Sequence, residues 1–191
     1  MPTPHVEEEV RIYRENLEEL ERGCRVEYYR AYGGRELIAS IERILDKECG
    51  RDSYFIVFRE GLLISPRVAI AAVARTERVK RRSKPIARKP SIELLLRILG
   101  ERNISEVLKK IGSIDDGEKN IVVINCTGCV TNGLKSMLKS ISPDEETMKN
   151  GLKGIARLCL EKETGYGDSG ETLEDLEKLV ISCGISLEFE E

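Results

Sequence analysis

Tryptophan is absent from the 191-residue chain, and histidine occurs once, as His5. With that histidine outside any apparent site, histidine-based acid–base or nucleophilic catalysis has no candidates. Three Phe and six Tyr are too few for an extended base-stacking platform of the RRM or OB type. No apolar run approaches the roughly 20 residues that a bilayer span needs. The first ten residues, Met1-Pro-Thr-Pro-His-Val-Glu-Glu-Glu-Val, are acidic and hold no apolar signal region, so the sequence reads as cytoplasmic. The patterns GxxxxGK[ST], GxGxxG and GxSxG do not occur. Gly165-Tyr-Gly-Asp-Ser-Gly170 is glycine-rich, but no strand precedes it and Asp168 would repel a phosphate. Asp115-Asp116 and Asp144-Glu145-Glu146 fall at a turn and a helix N-terminus, where carboxylates serve structure. These absences point to a binding protein, not an enzyme, with no catalytic residues, cofactor or metal.

Charged residues make up 34% of the chain, above the usual quarter or so. Such a composition suits a heat-adapted source. The length fits one full core with a small appendage: residues 1–22 as an N-terminal helical extension, residues 23–191 as one domain. The six cysteines, at 24, 49, 126, 129, 159 and 183, are expected to be small buried hydrophobes in a reducing compartment. Cys126-Thr-Gly-Cys129 also has the spacing of a zinc knuckle or redox pair, which Cys159 and Cys183 would have to complete as a metal site.

Periodicity predicts the elements. Val6, Val10, Tyr13, Leu17 and Leu20 mark one helix face, which Gly23 ends. Cys24 to Tyr32 alternates as a half-buried strand, and Leu37 to Leu45 forms a second amphipathic helix. Tyr54-Phe-Ile-Val-Phe58 and Ile121-Val-Val-Ile124 read as buried strands, with Tyr54, Phe55 and Phe58 expected in the core. Ser65-Pro66 starts a small-residue helix, and Pro90 opens one apolar nearly all round. Asn103-Ile-Ser-Glu106 reads as a capping box. Leu134 to Ile141 suggests a short helix, and Ser142-Pro-Asp-Glu145 a capping box for a helix to about Glu161. A final helix over about Leu173 to Cys183, stopped by Gly184, precedes an alternating tail. The fold class expected is α/β (α+β), a single domain with a central, mostly antiparallel sheet covered by helices.

Against a net charge of -3, residues 75–89 hold eight Lys or Arg and one acid, Glu77. A local positive field on an acidic molecule directs polyanions to one face. Arg75, Arg78 and Lys80 come at the end of the Ser65 helix, and Pro85 and Pro90 favour extended chain between them. The candidate phosphate contacts are Arg75, Arg78, Lys80, Arg82, Lys84, Arg88 and Lys89. Asn103 and Ser105 can hydrogen-bond a base or ribose edge, and as helix-capping types can serve the backbone alone.

Asn103-Ile-Ser-Glu-Val-Leu-Lys-Lys-Ile-Gly112, with Lys84-Pro-Ile-Ala-Arg88 and Ser91-Ile-Glu-Leu-Leu-Leu96 before it, closely resembles the signature of the PRPK-binding protein family, the small accessory subunit of the KEOPS complex. Ile64-Ser-Pro-Arg-Val-Ala-Ile-Ala-Ala-Val-Ala74 resembles it too, and the likeness spans about residues 20–125. The resemblance implies a non-catalytic α/β subunit that binds the complex's small kinase/ATPase and, through it, the other KEOPS subunits. It also implies recruitment of tRNA through the single-stranded 3′ CCA end and acceptor stem, for threonylcarbamoyladenosine formation at position 37. No membrane partner is expected. Apolar periodicity suggests Leu176, Leu179, Val180, Ile185 and Leu187 as a kinase-docking patch. Two alternatives stay open: a kinase-docking scaffold that does not touch RNA, and a zinc or redox protein built on Cys126 and Cys129.

Overall fold

The computed structural model describes residues 17–50, 53–82, 85–160 and 171–185. Residues 17–23 are helical, and Leu17 and Leu20 pack on the core; the rest of the expected N-terminal helix lies outside the described residues. The elements then run β1 (Arg25–Tyr32), α1 (Arg35–Glu48), β2 (Ser53–Arg59), α2 (Pro66–Arg82), α3 (Pro90–Leu99), α4 (Ile104–Ile111), β3 (Glu118–Asn125), α5 (Asn132–Met137), β4 (Lys139–Ile141), α6 (Glu145–Cys159) and α7 (Leu173–Ile185). The strands form one four-stranded sheet in the order β2-β3-β1-β4, with every pairing antiparallel. The fold is α+β, a single sheet covered by helices, as expected from the patterning.

Both faces of the sheet are covered, which is why β3, at the centre, is buried from Lys119 to Asn125 and carries the continuous apolar run Ile121–Ile124. On one face Tyr29, Val57, Ile121 and Val123 meet Ile41 and Leu45 of α1 and Leu134 at α5. On the other Tyr28, Tyr54, Ile56, Phe58, Val122 and Ile124 pack under α2, α3, α4, α6 and α7. The thicker layer centres on α3, where Leu94, Leu95, Leu96, Ile98 and Leu99 are all buried. Each such side chain contributes about 1.5–3 kcal/mol relative to exposure. α3 also buries Glu93 and Arg97 as an ion pair at 2.8 Å, which its apolar pattern concealed. Gly100 and Gly112 close α3 and α4 in left-handed conformations, with φ of 63° and 59°.

Three local expectations are corrected. The apolar stretch Leu134–Ile141 is not one helix: α5 stops at Met137, and residues 139–141 pair with β1, setting Ile141 opposite Tyr28. Backbone hydrogen bonds to an open sheet edge outweigh the helical spacing there. α6 begins at Glu145 and is capped by Asp144, whose Oδ1 accepts from Thr147 N at 2.8 Å, not by Ser142. α7 runs through Gly184 to Ile185. Gly184 is not a stop but a contact point: a Cβ there would collide with the Arg97 carbonyl oxygen.

The cysteines depart furthest from expectation. Cys24 is joined to Cys126, and Cys49 to Cys129. Cys24 and Cys126 flank the Arg25–Asn125 pair that ends the β1–β3 ladder. Cys49 caps α1. Each cysteine of the CxxC therefore finds a partner in a different element, and the pair forms neither a knuckle nor a 126–129 bridge. No group of three or more potential metal ligands occurs among the described residues. No helix among them is long and apolar enough to cross a membrane.

Candidate nucleic-acid interface

α2 carries the basic run. Ser65 caps it: its Oγ accepts from Val68 N at 3.3 Å, and its carbonyl accepts from Ala69 N at 3.0 Å. The buried alanines 69, 71, 72 and 74 let α2 lie close to its neighbours. That closeness removes Arg75 from the expected interface. Its residue is 3% exposed, and Nη2 donates to the Ile181 carbonyl at 2.7 Å. The guanidinium serves the C-terminal end of α7, where a cation suits the unpaired carbonyls.

Beyond Arg75 the helix emerges. Arg78 is half-buried and Lys80 exposed. Lys80 Nζ donates to Glu77 Oε1 at 2.7 Å and to Tyr54 Oη at 3.0 Å, lying 5.1 Å from the Tyr54 ring centre. The Tyr54 hydroxyl donates to the same Glu77 oxygen. Burial alone would raise the Glu77 pKa, but hydrogen bonds from Lys80 and Tyr54, with the charges of Lys80 and Arg81, outweigh it and hold the carboxyl below its ordinary value. The Arg82 side chain and all of Lys84 fall outside the described residues. Arg88 is exposed, and Lys89 Nζ donates to Glu42 Oε2 at 2.8 Å.

The chain between Pro85 and Lys89 is held from beneath. Glu93 Oε2 accepts from Ala87 N at 2.8 Å, while its Oε1 accepts from Arg97 Nε at 2.9 Å and Nη2 at 2.8 Å. One buried carboxylate thus fixes the loop, and one buried guanidinium balances its charge.

These pieces surround a cavity of about 460 Å³. It opens where the edge strand β2 leaves a gap between α1 and α3. Phe55, Ile56, Val57, Leu95 and Leu108 give it apolar walls, and Lys80, Arg88 and Lys89 stand at it with Glu42 and Asp46. Ser91 ties the two sides: its Oγ accepts from Phe55 N at 3.2 Å, satisfying an edge-strand donor. The volume falls in the usual range for small-ligand sites, ~300–1,000 Å³. Apolar walls with a few cations can admit a flat heterocycle and neutralise an attached phosphate.

The structure therefore brings Lys80, Arg88 and Lys89 together and separates Arg75 from them. Asn103 acts as a cap, its Oδ1 accepting from Ser105 N at 3.0 Å and Glu106 N at 3.3 Å. Ser105 is exposed, and neither residue lines the cavity. On α7, Leu176 and Val180 are 1% and 0% exposed, so they anchor the helix in the core and do not form a docking face. Leu179 is half-buried and packs on the same core. Ile185 is exposed, and Leu187 lies outside the described residues.

Sequence reasoning missed Phe55, Ser91 and Glu93. The alternation in β2 held a signal for Phe55: Tyr54, Ile56 and Phe58 share the thick-layer face, which leaves Phe55 with Val57 on the other. Searches against protein-family models and against curated proteins find no match.

Proposed function

We propose that this chain is a non-catalytic subunit of a KEOPS-like complex that binds the complex's small kinase/ATPase and recruits tRNA through its single-stranded 3′ CCA end. The observation that carries the RNA part is the cavity of about 460 Å³ with apolar walls and Lys80, Arg88 and Lys89 beside it. Lys84 to Gly112, the segment on which the family resemblance is strongest, supplies seven of its lining residues: Arg88 through Ile92, Leu95 and Leu108. A terminal nucleotide fits this chemistry, its base against Phe55 and its phosphates against the cations. Stacking one base on an aromatic ring contributes about 1–3 kcal/mol. Placement of the kinase rests on the resemblance alone, with Ile185 the one exposed member of the expected patch among the described residues.

The test is binding of the purified chain to full-length tRNA and to the same tRNA lacking its CCA, each at two salt concentrations. The expected result is loss of binding on truncation, an equal loss with Arg88→Glu plus Lys89→Glu, and a tenfold or greater loss with Phe55→Ala. Log affinity should fall against log salt with a slope of about -0.7 per neutralised phosphate. Indifference to both the truncation and the charge reversal would leave a kinase-docking scaffold that does not touch RNA. That second reading draws support from Glu77 and Glu42, which already engage Lys80 and Lys89.

A further inference from the structure

Four of the six cysteines are closed into disulfides, and the remaining two face each other. Cys159 is the last residue of α6, and Cys183 lies in the last turn of α7. Cys159 Sγ lies against the Ile98 carbonyl, and Cys183 precedes Gly184, which sits on the Arg97 carbonyl, so both thiols, each partly exposed, come to the same end of α3. Two thiols brought from different elements to one place are the starting point for a disulfide. The surroundings also hold the pair in place. Cys159 Sγ lies 3.7 Å from the Ile98 carbonyl. Arg75 Nη2 donates to Ile181 O, and Gly184 seats α7 directly on the Arg97 carbonyl. Backbone on both sides of Cys183 is therefore clamped to α2 and α3.

We propose that Cys159 and Cys183 are a reactive dithiol that closes to a third disulfide by exchange with a low-molecular-weight disulfide, locking α7 to α6. Cys183 is the attacking group. The hydrogen bond from Cys159, with its own backbone and the Arg75 charge, holds its pKa below the ordinary thiol value against the opposing effect of burial. Cys159 is driven the other way, by its hydrogen bond to Cys183 and by burial. The Cys183 thiolate attacks one sulfur of the small disulfide and expels the first small thiolate, which takes up the proton Cys183 has lost. Cys159 then gives its proton to solvent and attacks Cys183 Sγ, expelling the second small thiolate, which is protonated in turn. Two protein thiols are oxidised by two electrons, and one small disulfide is reduced to two thiols.

The experiment treats the full chain with oxidised glutathione, then denatures, alkylates and maps it without reduction. Before treatment, alkylation should mark Cys159 and Cys183; afterwards it should mark neither, and a peptide joining the two should appear. Thermal unfolding should shift upward on treatment of the wild type and stay put in a Cys159→Ser, Cys183→Ser variant. The single variants assign the roles: Cys159→Ser should retain a glutathione adduct on Cys183, while Cys183→Ser should leave Cys159 unmodified. Persistence of two alkylatable thiols, a lasting glutathione adduct on the wild type, or a new bridge to Cys126 or Cys129 would each overturn the proposal.

Discussion

Replacing Glu93 by alanine should damage the protein more than any surface charge reversal, by an amount the geometry sets. The Glu93 and Arg97 side chains are 1% and 0% exposed. Removing one member of a buried pair leaves the other charge in the interior, at about 3–5 kcal/mol. The Ala87 N–H, whose residue is 4% exposed, loses its acceptor at the same time, and a stranded buried donor costs about 1–3 kcal/mol. The two effects overlap, so about 4 kcal/mol is the expected net loss. For a domain of this size that is a drop in Tm of about 8–16 °C, at ~2–4 °C per kcal/mol. Calorimetry on Glu93→Ala measures it, and hydrogen exchange at Ala87 N reports separately whether the 85–89 loop has come free. A double Glu93→Leu, Arg97→Met variant removes both charges and should recover most of the stability, since an apolar pair of similar volume replaces a buried ion pair at little cost. It should still release Ala87. A drop in Tm below about 2 °C for Glu93→Ala, or a double variant worse than the single, would refute the reasoning.

Gly184→Ala should destabilise by about 1–3 kcal/mol or more, because the new Cβ collides with the Arg97 carbonyl and backbone must move; thermal unfolding checks this, and an unchanged Tm would mean α7 sits farther from α3. Cys24→Ser with Cys126→Ser opens a bridge spanning 102 residues, a loop whose closure is worth about 4.7 kcal/mol by chain entropy; the double variant should unfold at lower denaturant in urea titrations, and so should the wild type under reductant. The Glu77 carboxyl has a depressed folded-state pKa. The stabilisation from its bonds to Lys80 and Tyr54 is therefore fully present above its ordinary pKa of 4.5 and is lost as pH falls through the depressed value. Carboxyl NMR titration should place its midpoint below that of an unperturbed glutamate, and Glu77→Gln should remove that part of the acid-limb stability loss.

Local signals carried most of the secondary structure. Ser65 and Asn103 start their helices because their side-chain oxygens reach the free N–H groups two or three residues on. Gly100 and Gly112 end theirs because left-handed backbone disfavours a Cβ. The apolar runs of β2, β3 and α3 announced burial on both sides, and with it a covered sheet. The basic segment was equally plain as composition, and its Lys80, Arg88 and Lys89 do meet at one cavity.

What tertiary structure alone decided depends on contacts between residues distant in the chain. Arg75 belongs to the same charge run as Lys80, yet it is buried and donates to the Ile181 carbonyl of α7, 106 residues later. Leu176 and Val180 have the spacing of an exposed stripe or a core stripe alike, and only the packing of α7 on α3 and α6 makes them core. Gly184 has the composition of a helix stop and the role of a close approach. The cysteines are the clearest case. Their sequence neighbours suggested Cys126 with Cys129, whereas the β1–β3 register and the end of α1 choose Cys24 and Cys49. Periodicity and capping are properties of consecutive residues and can be read along the chain. A bridge, a buried cation or a cavity wall is a distance between elements, which exists only once the sheet has aligned them.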